Sequence, residues 1–308
     1  MPRRAAVFAP GTIGNVGPGF DVLGLAVGGI GDIVTLELRE GPDVVEAVTG
    51  RDAGQIPRDP TLNSAAIAAR TFLDHHGARD LRFRMTIDKG LTLSGGMGGS
   101  AASSVAGALA AARAIEQDPS ANALMEAALA GEIAVSGRHL DNIAASVHGG
   151  LILVRSFEAR DVVKIPLHGE WWVALVTPKV RIETRAARAL LPEKWERAEW
   201  VMQMANTAAL VHGFATGDGA LVRRSLDDRY AEPRRAALIP RFTEVKQAAL
   251  DCGALGCSIS GSGPTMFALA SASSDALRCA SAMQAAFAGT PASAHVGRVS
   301  DEGARELP

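Results

Sequence analysis

A glycine-rich segment near the middle of the chain has the residue types that hold a phosphate group. Residues 93–103 (LSGGMGGSAAS) lie between a predicted strand and a predicted helix. Glycines let backbone N–H groups approach a ligand closely, and a helix N-terminus adds partial positive charge. No Lys follows the glycines, so this is not a Walker loop, and the G-x-G-x-x-G dinucleotide unit is also absent. A flexible turn that caps a helix is the alternative.

Two more glycine-rich segments contain polar residues that can face a ligand. Residues 9–26 (APGTIGNVGPGFDVLGLA) form a predicted ordered loop in which Asn15 and Asp21 stand among apolar neighbours. Residues 258–265 (SISGSGPT) precede a predicted strand, and their backbone can come close to another group. Taken alone, the first segment is equally compatible with a tight connection, and the second with a hairpin turn.

Together, in this order and at these distances, the three segments resemble the three motifs of the GHMP kinases (galactokinase, homoserine kinase, mevalonate kinase and phosphomevalonate kinase). The string N-x-G-P-G-F-D-V-L-G-L-A is similar to the homoserine kinase branch, as are residues 136–142 (SGRHLDN), Thr184 with Arg188, and residues 232–235 (EPRR). The resemblance implies transfer of the γ-phosphoryl group of ATP to the hydroxyl of L-homoserine, giving O-phospho-L-homoserine in threonine biosynthesis. The alternatives are a GHMP kinase for another small alcohol, such as mevalonate, and a non-catalytic member that binds a nucleotide or metabolite.

The resemblance also implies a Mg²⁺ site beside the ATP phosphates. Ser100 matches a serine that binds Mg²⁺ in relatives, together with a Glu on the next helix whose place Glu132 occupies. Few oxygen ligands, completed by phosphate and water, suit Mg²⁺. A solvated helix carboxylate is the alternative for Glu132. The chain departs from the family motif at Thr92, where relatives have Pro, and at Gly99, where they have Ser.

The ATP-binding residues implied by the resemblance surround the second motif. Asn63 is expected either to contact the adenine or to cap a helix. Lys89 is expected either to approach a phosphate or to be an ordinary surface lysine. The implied set is Asn63, Lys89, Leu93, Ser94, Gly95, Gly96, Met97, Gly98, Gly99, Ser100, Ala101 and Ala102.

Residues for the acceptor come from the first motif and from three later positions. The implied substrate-binding residues are Asn15, Asp21, His139, Asn142, Thr184, Arg188 and Arg235, and the implied catalytic residues are Asn142, Arg188 and Glu132. An amino-acid zwitterion needs a carboxylate near its ammonium and guanidinium groups near its carboxylate. Asn142 stands where other GHMP kinases have a catalytic Asp, so alignment and charge stabilisation are expected to replace a strong base. His139 is alternatively structural, and Asp141 is not expected to be the base because adjacent helix side chains point in different directions.

The elements that must position these residues mix strands and helices. Alternating residues predict strands at 32–38 and 81–88, and a less regular one at 44–48 that indicates an antiparallel start. Helices are predicted at 62–75 and, rich in Ala, from the central segment to about residue 116. No regular β-α-β alternation is present, so the fold class is α+β. The resemblance implies a ribosomal-protein-S5-like N-terminal domain (1–167) and a ferredoxin-like α/β sandwich C-terminal domain (168–308).

Composition argues against nucleic-acid and membrane partners. Lys and Arg total 31 against 33 Asp and Glu, a net charge of −2, so no basic field attracts phosphate polymers or anionic membranes. The three cysteines are odd in number and include no C-x-x-C pair, which is typical of a reduced cytoplasm. The N-terminal apolar run is too short for a signal peptide. Relatives are often dimers, so a homodimer is compatible with the resemblance.

Overall fold

The computed structural model describes residues 4–157 and 161–308, and it contains two β-sheets with helices packed on them. Met1 to Arg3, which precede the short N-terminal apolar run, lie outside the described residues. The strands are β1 Arg4–Gly14, β2 Leu23–Arg39, β3 Val44–Gly50, β4 Arg82–Lys89, β5 Leu151–Ser156, β6 Asp161–Ile165, β7 Trp172–Pro178, β8 Gly256–Ile259, β9 Met266–Ala270, β10 Ala292–Arg298 and β11 Arg305–Glu306. The helices are α1 Ser64–His75, α2 Gly99–Ala114, α3 Ala121–Val135, α4 Asp141–His148, α5 Thr184–Ala189, α6 Arg197–Thr216, α7 Gly219–Ser225, α8 Glu232–Arg235, α9 Phe242–Asp251 and α10 Ser273–Ala286.

The first sheet has the order β11-β1-β2-β4-β3, with β5 on β2 and β6 on β5. β3 pairs with β4 in parallel, and β2 pairs with β4 rather than with β3. The predicted antiparallel start is therefore wrong for β3. The reason is that α1 lies between β3 and β4 in the chain, and such a crossover returns the chain parallel to its first strand.

The second sheet has the order β10-β7-β9-β8, and all of its pairings are antiparallel. It is built from the C-terminal half of the chain. Both sheets are mainly antiparallel and carry helices without a regular β-α-β alternation, which confirms the α+β class predicted from the sequence. The predicted domain boundary at 167/168 falls between β6 of the first sheet and β7 of the second. The last strand, β11, nevertheless pairs with β1, so the end of the chain lies on the first sheet.

Helix α2 packs between the first sheet and helices α1 and α3, because its small side chains allow close approach. Thirteen of its residues are buried, eight of them alanines. A Cβ on Gly107 would collide with the backbone carbonyl of Ala65 in α1, so the two helices touch nearly backbone to backbone. This packing fixes the N-terminus of α2, which follows the central glycine-rich segment.

Among the described residues, none of the helices is long and apolar enough to cross a membrane.

Candidate active site

The three glycine-rich segments lie against one another in the structure. The backbone N–H of Thr12 donates to Met97 O at 3.0 Å, which joins the first segment to the second. The backbone N–H of Thr265 donates to Gly95 O at 3.2 Å, and that of Gly261 donates to Gly14 O at 3.1 Å. Through these backbone contacts the three loops form one continuous surface.

The second segment leads directly into the N-terminus of α2. Gly98 is the N-cap residue with φ 63°, and the structure gives it no side-chain cap, so the first N–H groups of a 16-residue helix are available to an anion. A Cβ on Gly98 would collide with the Thr12 hydroxyl, and one on Gly96 (φ 79°) would collide with the Ser260 carbonyl. Glycine is required at both places. The geometry fits the predicted phosphate loop.

Ser100 and Glu132 lie together, as predicted, and Ser136 joins them. Ser100 Oγ and Ser136 Oγ are 3.0 Å apart, and both hydroxyls lie near the Glu132 carboxylate and lower its pKa. Burial raises the pKa of Glu132 to about 7, against the lowering effect of the two hydroxyls. Glu132 Oε2 is buried and has no hydrogen-bond partner in the part of the chain that the structure describes. A hard cation would satisfy this oxygen, so the donor set fits Mg²⁺.

Lys89 lies beneath the phosphate loop rather than facing it. Its ammonium contacts the Asp32 carboxylate and donates to Ser103 Oγ at 2.8 Å and Gly99 O at 3.1 Å, and the side chain is buried. All three of its protons are thereby used. Asp32 also accepts the backbone N–H groups of Gly90 and Leu91 at 3.1 and 3.2 Å. The alternative of an ordinary surface lysine is therefore wrong, since Lys89 is buried and with Asp32 ties the loop to the sheet. Its contact with a phosphate stays a prediction.

Asn63 is a helix-capping residue. Its Oδ1 accepts the N–H groups of Ala65 and Ala66 at 3.1 and 3.2 Å, and its Nδ2 donates to Pro57 O at 2.8 Å. The capping alternative for Asn63 therefore accounts for its contacts, and the expected adenine contact has no support here.

A cleft of about 480 Å³ opens beside the phosphate loop, between the two sheets. Thr92, Leu93 and Gly95 line one side, and residues 177–181 with 291–293 line the other. A cleft of this volume accommodates a nucleoside. Asn63 is not among its lining residues.

Asp21, His139 and Arg188 come together from three distant parts of the chain. Arg188 Nη2 donates to Asp21 Oδ1 at 2.8 Å and to Oδ2 at 2.9 Å, and it lies 3.1 Å from His139 Nδ1. Burial, assisted by the Arg188 charge, lowers the pKa of His139, so the imidazole is neutral near pH 7. Asp21 adopts φ 57° and Val16 φ 47°, and such left-handed backbone in non-glycine residues is typical of functional loops.

Arg235 is buried beside this group. Its Nη1 donates to Gly261 O at 3.0 Å, a carbonyl that also accepts Asn15 Nδ2 at 3.0 Å. Burial lowers the pKa of Arg235, and the nearby Arg188 charge acts in the same direction. The Phe20 ring lies 5.3 Å from the guanidinium carbon of Arg188 and 5.5 Å from that of Arg235, so it supports both cations.

Asn142 links the acceptor residues to the phosphate loop through Thr12. Thr12 Oγ1 donates to Asn142 Oδ1 at 2.8 Å, and Asn142 Nδ2 donates to Asp141 Oδ1 at 3.2 Å. Asp141 is buried under Gly14 and accepts the Asn15 N–H at 3.3 Å. Burial raises the pKa of Asp141 to about 6. The adjacent side chains of Asp141 and Asn142 are thus in contact, so the expectation that they point in different directions is wrong.

The structure thus brings most of the predicted residues into one region. Thr184, at the first turn of α5, lies 3.4 Å from Ser262 through their hydroxyls. Residues that the sequence did not single out are Thr12, Phe20, Asp32 and Ser136. Thr12 and Phe20 lie inside the first motif and Ser136 at the start of the SGRHLDN string, so their motif position was the available signal. Asp32 had none beyond its place in a strand.

Comparison with known proteins gives consistent matches over nearly the whole chain. The model "GHMP kinases N terminal domain" matches residues 63–150, and "GHMP kinases C terminal" matches residues 210–289. Homoserine kinase of Chlorobium phaeobacteroides is 40% identical over 291 residues, 91% of each chain. Homoserine kinase of Xanthomonas campestris pv. campestris is 42% identical and covers 93% of this chain and 88% of its own.

Solved structures match in the same way. The crystal structure of homoserine kinase from Cytophaga hutchinsonii has a TM-score of 0.94 at 37% identity, covering 100% of this chain and 98% of its own. The L. major mevalonate kinase in complex with R-mevalonate has a TM-score of 0.70 at 16% identity, covering 94% of both chains. At that identity the second likeness shows a shared fold alone.

Proposed function

Because the chain belongs to the homoserine kinases within the GHMP kinase family, we propose that it transfers the γ-phosphoryl group of ATP to the side-chain hydroxyl of L-homoserine. The observation that carries this proposal is the meeting of Asp21, Arg188 and Arg235 beside the phosphate loop. The product is O-phospho-L-homoserine, an intermediate of threonine biosynthesis. Action on another alcohol, or binding without catalysis, has no comparable support.

The acceptor is held by its charges. Asp21 takes the ammonium group, Arg188 and Arg235 take the carboxylate, and His139 and Asn15 add polar contacts around them. Asn142, fixed by Thr12, lies between this group and the phosphate loop and orients the hydroxyl. Because the amide of Asn142 cannot take up a proton, its place next to the phosphate loop supports a mechanism that depends on alignment and charge stabilisation rather than on a strong base.

The donor lies along the second motif. The N-terminus of α2 and the loop from Ser94 to Ala102 hold the phosphates, and the cleft beside Leu93 holds the nucleoside. Ser100 and Glu132 would hold Mg²⁺, which supplies neutralisation of charge on the phosphate oxygens. With two protein ligands, phosphate oxygens and water would complete the coordination of the cation.

Location and assembly are also proposals. Cys252, Cys257 and Cys279 are free thiols, which supports a reducing cytoplasm as the location of the protein.

A homodimer is supported by exposed apolar side chains on α6, among them Trp200 and Met204. Light scattering should give the mass of a dimer, and Trp200→Glu should lower it to that of a monomer. An unchanged mass in that variant would place the dimer contact elsewhere.

The experiment that tests the function is a coupled ADP-release assay with Mg²⁺ and a panel of alcohols. L-Homoserine should give the highest kcat/KM, ahead of L-serine, mevalonate and galactose. Ser293→Trp, which fills the cleft, should raise KM for ATP and leave KM for L-homoserine unchanged. Faster turnover of mevalonate or a sugar would overturn the substrate, and no ADP release with any alcohol would overturn the kinase assignment.

A further inference from the structure

A buried glutamine of α6 joins two segments that carry acceptor-binding residues. Gln203 Nε2 donates to Pro18 O and to Asp228 Oδ1, both at 2.8 Å. Its Oε1 accepts the backbone N–H of Arg229 at 2.7 Å, so both amide protons and the amide oxygen are used. The side chains of Gln203 and Asp228 are buried, and hydrogen bonds shielded from water in this way hold their partners firmly.

The first of the two segments is the loop of the first glycine-rich motif. Pro18 lies shortly before Asp21 in this loop, and its carbonyl also accepts Thr207 Oγ1 at 2.9 Å. Val16 adopts φ 47° and Asp21 φ 57°, and left-handed backbone in non-glycine residues persists only where the surrounding contacts fix it. The two donors from α6 supply such contacts, because both hold the carbonyl that lies between these two positions.

The second segment is the turn that begins α8, the helix that carries Arg235. The buried Asp228 carboxylate accepts the backbone N–H groups of residues 230–232 at 2.8–3.2 Å. It therefore fixes the first turn of α8, and Arg235 follows within the next turn with its guanidinium on Gly261 O at 3.0 Å. Because Gln203 donates to the same carboxylate, α6 and α8 share one hydrogen-bond network.

The contacts of Gln203 favour an amide over other side chains of this size. Its Nε2 faces two oxygen acceptors, so a carboxylate in its place would have no proton to donate to either of them. A methionine would fill the volume and form none of the three hydrogen bonds. Without Gln203, Pro18 O keeps Thr207 and the Asp228 carboxylate keeps residues 230–232. The loss therefore falls on the link between the segments rather than on either segment.

We propose that Gln203 is a positioning residue of the acceptor site, which sets the place of the first-motif loop relative to α8. The inference rests on the proposed function, because the loop carries Asp21 and α8 carries Arg235. Among the described residues, Gln203 forms no hydrogen bond with either of them, so its effect passes through the backbone of the two segments. The described residues that line the nucleotide cleft belong to neither segment, so a displacement alters the fit of the acceptor alone.

Gln203→Met is the main test, because it keeps the length of the side chain and removes the three hydrogen bonds. KM for L-homoserine should rise about 10-fold, since a small misplacement caused by a remote residue weakens the fit of a bound substrate. KM for ATP should stay at the wild-type value. Thr207→Val removes one donor to Pro18 O and leaves the link to α8, so its rise in KM should be smaller. Steady-state kinetics with each substrate varied give both constants.

A reciprocal exchange of donor and acceptor distinguishes positioning from general damage. Gln203→Glu places a carboxylate against the Asp228 carboxylate, so KM for L-homoserine should rise at least as much as in Gln203→Met. In Gln203→Glu/Asp228→Asn, the new amide at position 228 can donate to the new carboxylate at position 203, and the number of buried charges equals that of the wild type. This double variant should recover part of the loss.

Leu210→Ala is the matched control for loss of stability. Leu210 is fully buried on the same helix, two turns beyond Gln203, and its truncation leaves a cavity without breaking the polar link. It should lower the melting temperature and leave both KM values unchanged. Without any substrate, the backbone N–H groups of residues 21–23 and 230–232 should exchange with solvent faster in Gln203→Met than in Leu210→Ala.

The outcomes separate this inference from the proposed function. If wild-type protein phosphorylates L-homoserine and Gln203→Met raises neither KM, or raises both alike, the positioning role is overturned and the function stands. A wild-type protein that does not act on L-homoserine overturns the function and the inference with it. If melting shows that Gln203→Met does not fold, the reciprocal exchange decides, and no recovery in the double variant overturns the role.

Discussion

The Glu132 carboxylate gives the sharpest prediction about a single residue, because one of its oxygens is buried without a partner among the described residues. If it holds Mg²⁺ with Ser100, Glu132→Gln should lower kcat about 100-fold or more, since metal stabilisation of the transferring phosphoryl group contributes several kcal/mol. The change is isosteric, so the melting temperature should not fall. Measuring kcat across a Mg²⁺ titration checks this.

Glu126→Gln is the matched control for this experiment. Glu126 lies on the same helix, α3, and its side chain is exposed. Its kcat and Mg²⁺ dependence should match those of the wild type. Wild-type turnover in Glu132→Gln, at every Mg²⁺ concentration, would remove the metal assignment.

The raised pKa of the buried Asp141 carboxyl predicts that the stability of the protein depends on pH. Burial raises its pKa from 3.8 to about 6, so between these values the folded protein binds more protons than the unfolded chain. The contribution of Asp141 to stability is therefore full below about pH 4 and is lost as the pH rises through 6. Asp141→Asn does not titrate, so its free energy of unfolding relative to wild type should rise by about 1–3 kcal/mol from pH 4 to pH 7. Urea unfolding at several pH values measures this, and a difference that is constant with pH would contradict it.

At the residue scale, sequence resemblance predicted functional groups better than it predicted their partners. Asp21, Arg188 and Arg235 were predicted to surround an amino acid and do lie together. The ion pair between Asp21 and Arg188 was not predictable, because the two residues lie 167 positions apart in the sequence and only the folded chain sets their distance. The same holds for Lys89, whose partner Asp32 lies on a neighbouring strand.

Among the larger elements, the phosphate loop shows where glycine is required and where it is not. Gly98 has φ 63°, and a Cβ there would collide with the Thr12 hydroxyl that positions Asn142. Gly98→Ala should therefore lower kcat by up to about 100-fold through misplacement of the loop. Gly99, where relatives have Ser, has room for a Cβ, whose nearest neighbour would be Leu91 Cβ at 3.4 Å.

Gly99→Ser is consequently the matched control for Gly98→Ala. Its kcat should remain within about twofold of wild type, because it fits without strain. Steady-state kinetics with varied ATP compare the two variants. Equal losses in both would mean that bulk at the helix start, rather than the conformation of Gly98, limits activity.

The buried Lys89–Asp32 pair joins β2 and β4 to the phosphate loop and predicts a loss of stability. Lys89→Met leaves the Asp32 carboxylate buried without its cation, which should cost about 3–5 kcal/mol of unfolding free energy. The double variant Asp32→Asn/Lys89→Met should recover part of this loss, because an Asn oxygen can still accept the N–H groups of Gly90 and Leu91. Denaturant unfolding measures both. Unchanged stability together with a raised KM for ATP would restore Lys89 to the phosphate site.

At the element scale, periodicity predicted the long helices and the regular strands. It did not predict that β1 continues to Gly14, since this stretch contains Pro10, Gly11 and Gly14 and resembles a loop. Pairing with β2 keeps the stretch extended, with a register shift between Pro10 and Gly11. The short strand β8 and helix α8 also depend on tertiary contacts, such as the hydrogen bond between Ser258 Oγ and Glu232 at 2.6 Å.

In the whole molecule, the site exists only where the two sheets and their loops meet. Gln203 and Thr207 of α6 both donate to Pro18 O, at 2.8 and 2.9 Å, so the C-terminal half holds the loop that carries Asp21. The three glycine-rich segments were recognisable in the sequence, but the arrangement that makes them one surface is a property of the complete fold.

The most direct test of the central claim is identification of the product by ³¹P NMR after reaction of wild-type protein with ATP, Mg²⁺ and L-homoserine. Transfer to the side-chain hydroxyl predicts a phosphomonoester signal split by the adjacent CH₂ protons, appearing in step with ADP. An acyl phosphate on the amino-acid carboxylate, or inorganic phosphate as the sole new species, would contradict the assignment of Asp21, Arg188 and Asn142 to an acceptor presented by its hydroxyl.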